Sequence, residues 1–171
     1  STVWLTSLAV SFEASPDYRG SSKTTVAPAK IAQANLVKET ADSIVRANAG
    51  KSDYEKLVAY RDEICALNTY NDDAYNALLK DSSVYGDPWQ LIHVFDNDPS
   101  TNVLCEGYAK AFKYLCDLSD FNGDVACYIV EGSEGSDRHM WNVVRMEDGK
   151  FYLADITYSD NRSIGKDSVF M

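Results

Sequence analysis

Residues Arg138 to Thr157 read RHMWNVVRMEDGKFYLADIT. Apolar and β-branched residues run from Met140 to Met146 and from Phe151 to Thr157, on either side of Glu147-Asp148-Gly149. That pattern predicts an antiparallel hairpin. Its register depends on the turn. A two-residue turn at Asp148-Gly149 pairs Asp155 with Asn142 and leaves His139 on the opposite face. A three-residue loop, Glu147-Asp148-Gly149, pairs Asp155 with Trp141. His139 then becomes a diagonal neighbour on the same face, within side-chain reach. Three-residue loops join a type I turn to a left-handed residue, and Gly149 stands in that slot. The three-residue register is therefore expected, with positive φ at Gly149 and not at Asp148. It places Trp141, Val143, Phe151 and Leu153 on the His139/Asp155 face, where they are expected to pack on the helix upstream.

That helix lies in VLCEGYAKAFKYLCDL, Val103 to Leu118. At 100° per residue, Cys105, Ala109, Phe112 and Cys116 fall in one narrow stripe, which is expected to face the core. Thr101 or Asn102 is available as N-cap, which puts Cys105 in the first turn. Unpaired backbone N–H groups and the positive end of the helix dipole favour a thiolate there. Cys116, three turns on, has no such help. A cysteine in this place also suits a small buried hydrophobe, and helical position alone does not decide between the two. A nucleophilic cysteine needs a base, and the base needs an orienting group. His139 and Asp155 can supply both. His93, the other histidine, sits in the apolar run WQLIHVF and reads as a packed side chain.

Outward from these segments, helices come first and strands after them. Val3 to Phe12 suggests a strand, followed by the polar loop SPDYRGSSKTT. Pro28 suits the first position of a helix and Gly50 its stop, with Ile31, Ala34, Val37, Ala41, Ile44 and Val45 at helical spacing. Ser52-Asp53-Tyr54-Glu55 is a capping box opening a helix to about Leu67. A short helix is expected over Asp73–Leu79, then the loop SSVYGDP. WQLIHVF is a helix or a strand, and DNDPSTN is a loop. After the cysteine helix come the turn FNGD, a strand from Val125 to Glu131, a flexible loop GSEGSD, the hairpin, and a loop tail, SDNRSIGKD. Such an order argues for an α+β fold with an antiparallel sheet.

The chain has 171 residues, enough for one domain with its own core. Residues 1–27 read as an N-terminal extension or linker and 28–171 as the domain. With 26 acidic against 16 basic residues, the formal net charge is -10. There is no basic stripe, so neither nucleic acid nor an anionic membrane is an expected partner. No apolar run reaches the roughly 20 residues of a membrane span. TVWLTSLAVSFEA lacks the basic start of a signal peptide, because the first basic residue is Arg19. A chain that opens Ser-Thr and stops on Val169-Phe170-Met171 reads as part of a larger, multidomain protein. Cys65, Cys105, Cys116 and Cys127 include no C-x-x-C pair, and the histidines stand apart, so no metal site is expected. A domain this large needs no disulfides, and the state of Cys65, Cys116 and Cys127 stays open.

CEGYAKAFKYL, HMWNVV and FYLADITYSD together resemble the transglutaminase-like core domain, in its bacterial cysteine-peptidase-like branch. The shared pattern is a Cys-x-Gly-Tyr/Phe-Ala helix start, a His-x-Trp-Asn strand and an Asp-x-Thr strand end, in that order. DYEKLVAYRDEICALNTY resembles the family's preceding helix, and the likeness spans roughly residues 50–160. It implies a papain-like α+β fold with Cys105 as nucleophile, His139 as general base and acid, and Asp155 orienting His139. The implied chemistry is attack on an amide carbonyl of a protein or peptide substrate through a thioester. Hydrolysis, deamidation or transfer to an amine would follow, without metal or organic cofactor. The oxyanion hole would use the Cys105 backbone N–H and a second donor, Gln90 or Trp89. Tyr108, Trp141 and Asn142 would support the site. No counterpart of the calcium-binding regions of animal transglutaminases is evident. The resemblance also implies an extracellular or cell-surface setting. A catalytically silent binding or structural module with this fold is the alternative.

Overall fold

Helix α5 (Cys105–Asp117) touches both the helices and the sheet. The computed structural model describes residues 7–80, 89–135 and 137–160. The stripe of Cys105, Ala109, Phe112 and Cys116 is buried, and so are Tyr108, Ala111 and Leu115. Against α5 pack α1 (Pro28–Ala47), α2 (Asp53–Leu67), α4 (Trp89–Phe95) and α6 (Ile156–Asp160). Strands β1 (Ala126–Glu134) and β2 (Asp137–Arg145) also pack on it. With β3 (Phe151–Ala154) they form an antiparallel sheet in the order β1-β2-β3. The short α3 (Asp72–Leu78) completes an α+β fold. Leu57, Tyr60, Ile64, Phe95, Phe112, Leu115 and Val144 fill one core. Each such side chain contributes roughly 1.5–3 kcal/mol by leaving water.

Local chemistry explains most boundaries. Pro28 occupies the first turn of α1. That helix stops at Asn48, before Gly50, because the Asn48 side chain donates to the Ile44 carbonyl at 2.8 Å. Ser52 and Glu55 form the expected capping box of α2. The Asn71 side chain accepts from Ala74 N–H at 2.9 Å and so starts α3 one residue early. WQLIHVF is a helix, α4. Residues 7–12 have no regular structure and expose Leu8, Val10 and Phe12, unlike the expected strand, whose first residues lie outside the described ones. The loop SSVYGDP and the tail beyond Asp160 lie outside them too. The ring of Tyr18, in the N-terminal stretch, packs on Trp89 at 5.5 Å.

The hairpin adopts the three-residue register. Asn142 pairs with Ala154 and Val143 with Leu153, so Trp141 and Asp155 are the next to face each other. Gly149 has φ 75°, while Asp148 stays out of the left-handed region. Met146 N–H bonds the Lys150 carbonyl at 3.0 Å and Gly149 N–H the Met146 carbonyl at 2.9 Å.

Four expectations need correction. β1 continues through Glu134, so GSEGSD is largely strand; Gly132 pairs with His139 instead of lying in a loop. β3 ends at Ala154 and a helical turn, α6, takes the place of the strand end and the start of the tail. Asp155 causes this: its Oδ1 accepts from Tyr158 N–H at 3.2 Å, as an N-cap does. The N-cap of α5 is Leu104, not Thr101 or Asn102. Thr101 turns its hydroxyl to Asp96, and the Asn102 carbonyl accepts from Asn71. Finally, Trp141, Val143, Phe151 and Leu153 do not pack on α5. Met140, Asn142, Val144 and Ala154 are the buried positions of the hairpin, whereas Phe151 and Leu153 are 61% and 59% exposed.

No helix among the described residues is long and apolar enough to cross a membrane.

Candidate active site

Gly107 explains how α5 begins where it does. A Cβ there would stand 2.6 Å from Val103 Cβ and 3.0 Å from the Gln90 carbonyl oxygen. Only glycine lets the first turn close on α4 without displacement. Across the same contact, Leu104 N–H donates to Gln90 Oε1 at 2.9 Å. The start of α5 is thus fastened to α4 by backbone and side chain together.

On the other side, Asn142 fastens α5 to the sheet. This fully buried side chain donates from Nδ2 to the Ala109 carbonyl at 3.0 Å and to the Tyr128 carbonyl at 3.3 Å. Met140, two residues earlier, packs with Cys105 and Ala109. β2 and α5 therefore run side by side, and His139 stands level with the helix start.

His139 is bonded to Asp155 and lies near Cys105. Its Nε2 meets Asp155 Oδ2 at 2.6 Å. The Cys105 thiol stands near enough to the same imidazole to help hold its proton. His139 and Asp155 side chains are 13% and 11% exposed, so this pairing is little screened by water. The Asp155 hydrogen bond, then that of Cys105, push the imidazole up to about 10 against an opposing effect of burial. This favours the imidazolium form of His139 at neutral pH. Asp155 divides its oxygens: Oδ2 orients His139 and Oδ1 caps α6.

Two rings pack on the imidazole. Trp141 stacks at 5.7 Å between centroids, and Tyr158 lies at 5.4 Å. Trp141 was expected beside the histidine; Tyr158 was not. Its signal was present, since an aspartate three residues before it can cap a helix and bring it back over the strand end. Trp141 fits because Gly132, the β1 partner of His139, lies diagonally under its ring, where a Cβ would stand 2.7 Å from Trp141 Cη2.

The remaining candidates sort by contact. Gln90 holds Leu104 N–H with its oxygen, and among the described residues its amide NH₂ is left as a donor. Cys105 N–H, first in the helix, has no intrahelical acceptor. Trp89 packs on Tyr18, His93 and the Lys30 ammonium instead. Tyr108 is buried and donates to Asp160 Oδ2. Desolvation and then that carboxylate keep its phenol protonated far above the usual range. His93 bonds Asp96 at 3.0 Å within α4's end.

A cleft of about 800 Å³ opens beside the site. Tyr70, Tyr75, Asp137, His139, Thr157 and Tyr158 are among its walls, whereas Cys105, 4% exposed, is not. Cys65 also lines it, but burial pushes that thiol up to about 12. Burial raises the Cys116 thiol as well, and the Cys127 thiol beside it adds to the shift. All four cysteines are free. Among the described residues, no three His, Cys, Asp or Glu side chains group as metal ligands.

No protein-family model matches the chain, and a search among curated proteins finds no match.

Proposed function

We propose that the protein is a cysteine-dependent amide-bond enzyme with a transglutaminase-like, papain-like core. The observation that carries this reading is His139, held between Asp155 at 2.6 Å and the Cys105 thiol. An imidazolium beside a sulfur at a helix start favours the thiolate, which is the nucleophilic form. The thiolate of Cys105 attacks an amide carbonyl of a protein or peptide. The oxyanion that forms is met by Cys105 N–H and the Gln90 amide. His139 then gives its Nδ1 proton to the leaving nitrogen, the C–N bond breaks, and a thioester remains on Cys105. Water or an amine next attacks the thioester while His139 takes back a proton, and the thiolate leaves. Asp155 holds Nε2 throughout and keeps the ring in one tautomer.

The near-complete burial of Cys105, which stands outside the cleft walls, favours a second reading: a silent binding module that keeps the fold. One experiment separates the two. The rate of alkylation of each cysteine by iodoacetamide is followed from pH 4 to 9 by mass spectrometry, in the native protein and in His139→Ala. For an enzyme, Cys105 alone reacts fast below neutral pH and slows at least tenfold without His139. Reaction of Cys105 no faster than Cys65 or Cys116 supports the silent module.

A further inference from the structure

His139 is reached by an aromatic ring from an element that contributes nothing else to the triad. The Tyr158 ring lies 5.4 Å from the imidazole at an interplanar angle of 51°. Tyr158 belongs to α6, whose placement depends on Asp155: the Tyr158 N–H binds Asp155 Oδ1 at 3.2 Å. The same side chain lines the cleft next to His139. Backbone and side chain of one residue therefore touch both members of the ion pair, on the side open to a substrate.

We infer that Tyr158 is a positioning residue that holds the His139 ring in the orientation joining Asp155 to Cys105. The inference rests on the proposed catalytic reading for its use, but its geometry can be tested without activity. An imidazole turns about its Cβ–Cγ bond unless something fills the space beside it, because that torsion has broad minima. Trp141 follows His139 on the same strand and packs on the ring nearly parallel, at 21°. That torsion swings the ring out of its own plane, and the stacked Trp141 indole obstructs the swing on the face it covers. The tilted Tyr158 ring, delivered from α6, is a second obstruction to the same swing. Aromatic rings near a cation add a favourable electrostatic contact as well. The phenol hydroxyl is not required for either effect, so phenylalanine is the conservative replacement.

The test uses NMR titration of the two histidines in the full chain, with His93→Asn to assign the signals. In the native protein the His139 midpoint is expected well above 6.5, near 10, because of its partners. In Tyr158→Leu the backbone contact to Asp155 remains while the ring is gone. The His139 midpoint then falls by about one unit toward the ordinary histidine value as the two hydrogen bonds loosen. Tyr158→Phe keeps the native midpoint. A folded Tyr158→Leu that titrates like the native protein overturns the inference, as does a Tyr158→Phe that behaves like Tyr158→Leu. Should Tyr158→Leu not fold, nuclear Overhauser contacts between the Tyr158 and His139 ring protons in the native protein decide instead, and their absence refutes it. Cys105 alkylation in the native protein separately judges the catalytic reading: slow alkylation with a Tyr158-dependent midpoint removes the enzyme and keeps the positioning role.

Discussion

His139 and Asp155 stand 16 residues apart in the chain and 2.6 Å apart in space, because Gly149 turns the hairpin in a three-residue loop. A two-residue turn would have put their side chains on opposite faces. Replacing Asp155 with Asn removes the carboxylate whose hydrogen bond, and then whose charge, raises the value of His139. The His139 midpoint is expected to fall from about 10 toward 6.5. The sign of the linked stability follows. A group whose value is raised on folding stabilises the protein fully below its unfolded value, here about 6.5. That contribution is lost as pH rises through about 10. Chemical denaturation of the native protein and Asp155→Asn should therefore differ most near pH 6 and converge above pH 10. A difference that grows with pH would contradict the ion pair.

Gly132 faces His139 across the β1–β2 ladder and lies under the Trp141 indole. Alanine suits a strand better than glycine by roughly 0.5–1 kcal/mol. A Cβ 2.7 Å from Cη2 and 3.2 Å from Cζ3 nevertheless forces the indole off its place. Gly132→Ala should leave thermal stability within a few degrees of native but abolish the stacking on His139. The ring-current shift of the His139 protons reports this directly. An unchanged shift would mean that the indole sits elsewhere.

Much of this site was legible in the sequence because its signals are local or periodic. The turn residue Gly149, the stripe through Cys105, and the spacing of His139 and Asp155 suffice to place three side chains in reach of one another. What stayed hidden depends on tertiary contact. The face of β2 that meets α5 is chosen by Met140 and by buried Asn142, which bonds the Ala109 carbonyl. The register, which puts Trp141, Val143, Phe151 and Leu153 on the face of His139, pointed to those residues instead. GSEGSD looked flexible because glycine usually marks a loop. Gly132 instead makes room for a tryptophan ring. Thr101 looked like a cap until Asp96 took its hydroxyl.

Gly107 is the least replaceable residue of the Cys-x-Gly helix start. Alanine at this position meets Val103 at 2.6 and 2.7 Å and the Gln90 carbonyl at 3.0 Å. Overpacking of this kind costs about 1–3 kcal/mol, against a smaller gain in helix propensity. For a domain of this size the melting temperature should drop by about 2–8 °C. Because the strain falls between α4 and Cys105, alkylation of Cys105 at pH 6.5 should slow along with it. A variant as stable as the native protein would show that α4 and α5 separate freely.

Far from the site, Asp53 clamps the start of α2 to the turn that leads into β1. Its carboxylate accepts from Asn122 N–H at 2.9 Å, Asn122 Nδ2 at 3.1 Å and Gly123 N–H at 2.8 Å. Lys56 Nζ stands 3.4 Å away, itself buried and bonded to the Asp120 carbonyl at 2.7 Å. Burial alone would raise the carboxyl, but the two backbone N–H groups and Lys56 together hold it below the ordinary aspartate value. A depressed carboxyl stabilises the fold above its unfolded value near 3.8 and ceases to do so as pH falls through the folded one. Asp53→Asn keeps the shape but loses the charge, leaving a buried ammonium with one carbonyl partner. The expected loss is about 2–3 kcal/mol near pH 7, shrinking below pH 4 as the native carboxyl is protonated. Urea denaturation of both proteins at pH 7 and pH 3 measures this. Equal stability at pH 7 would mean that the clamp works through its neutral hydrogen bonds alone.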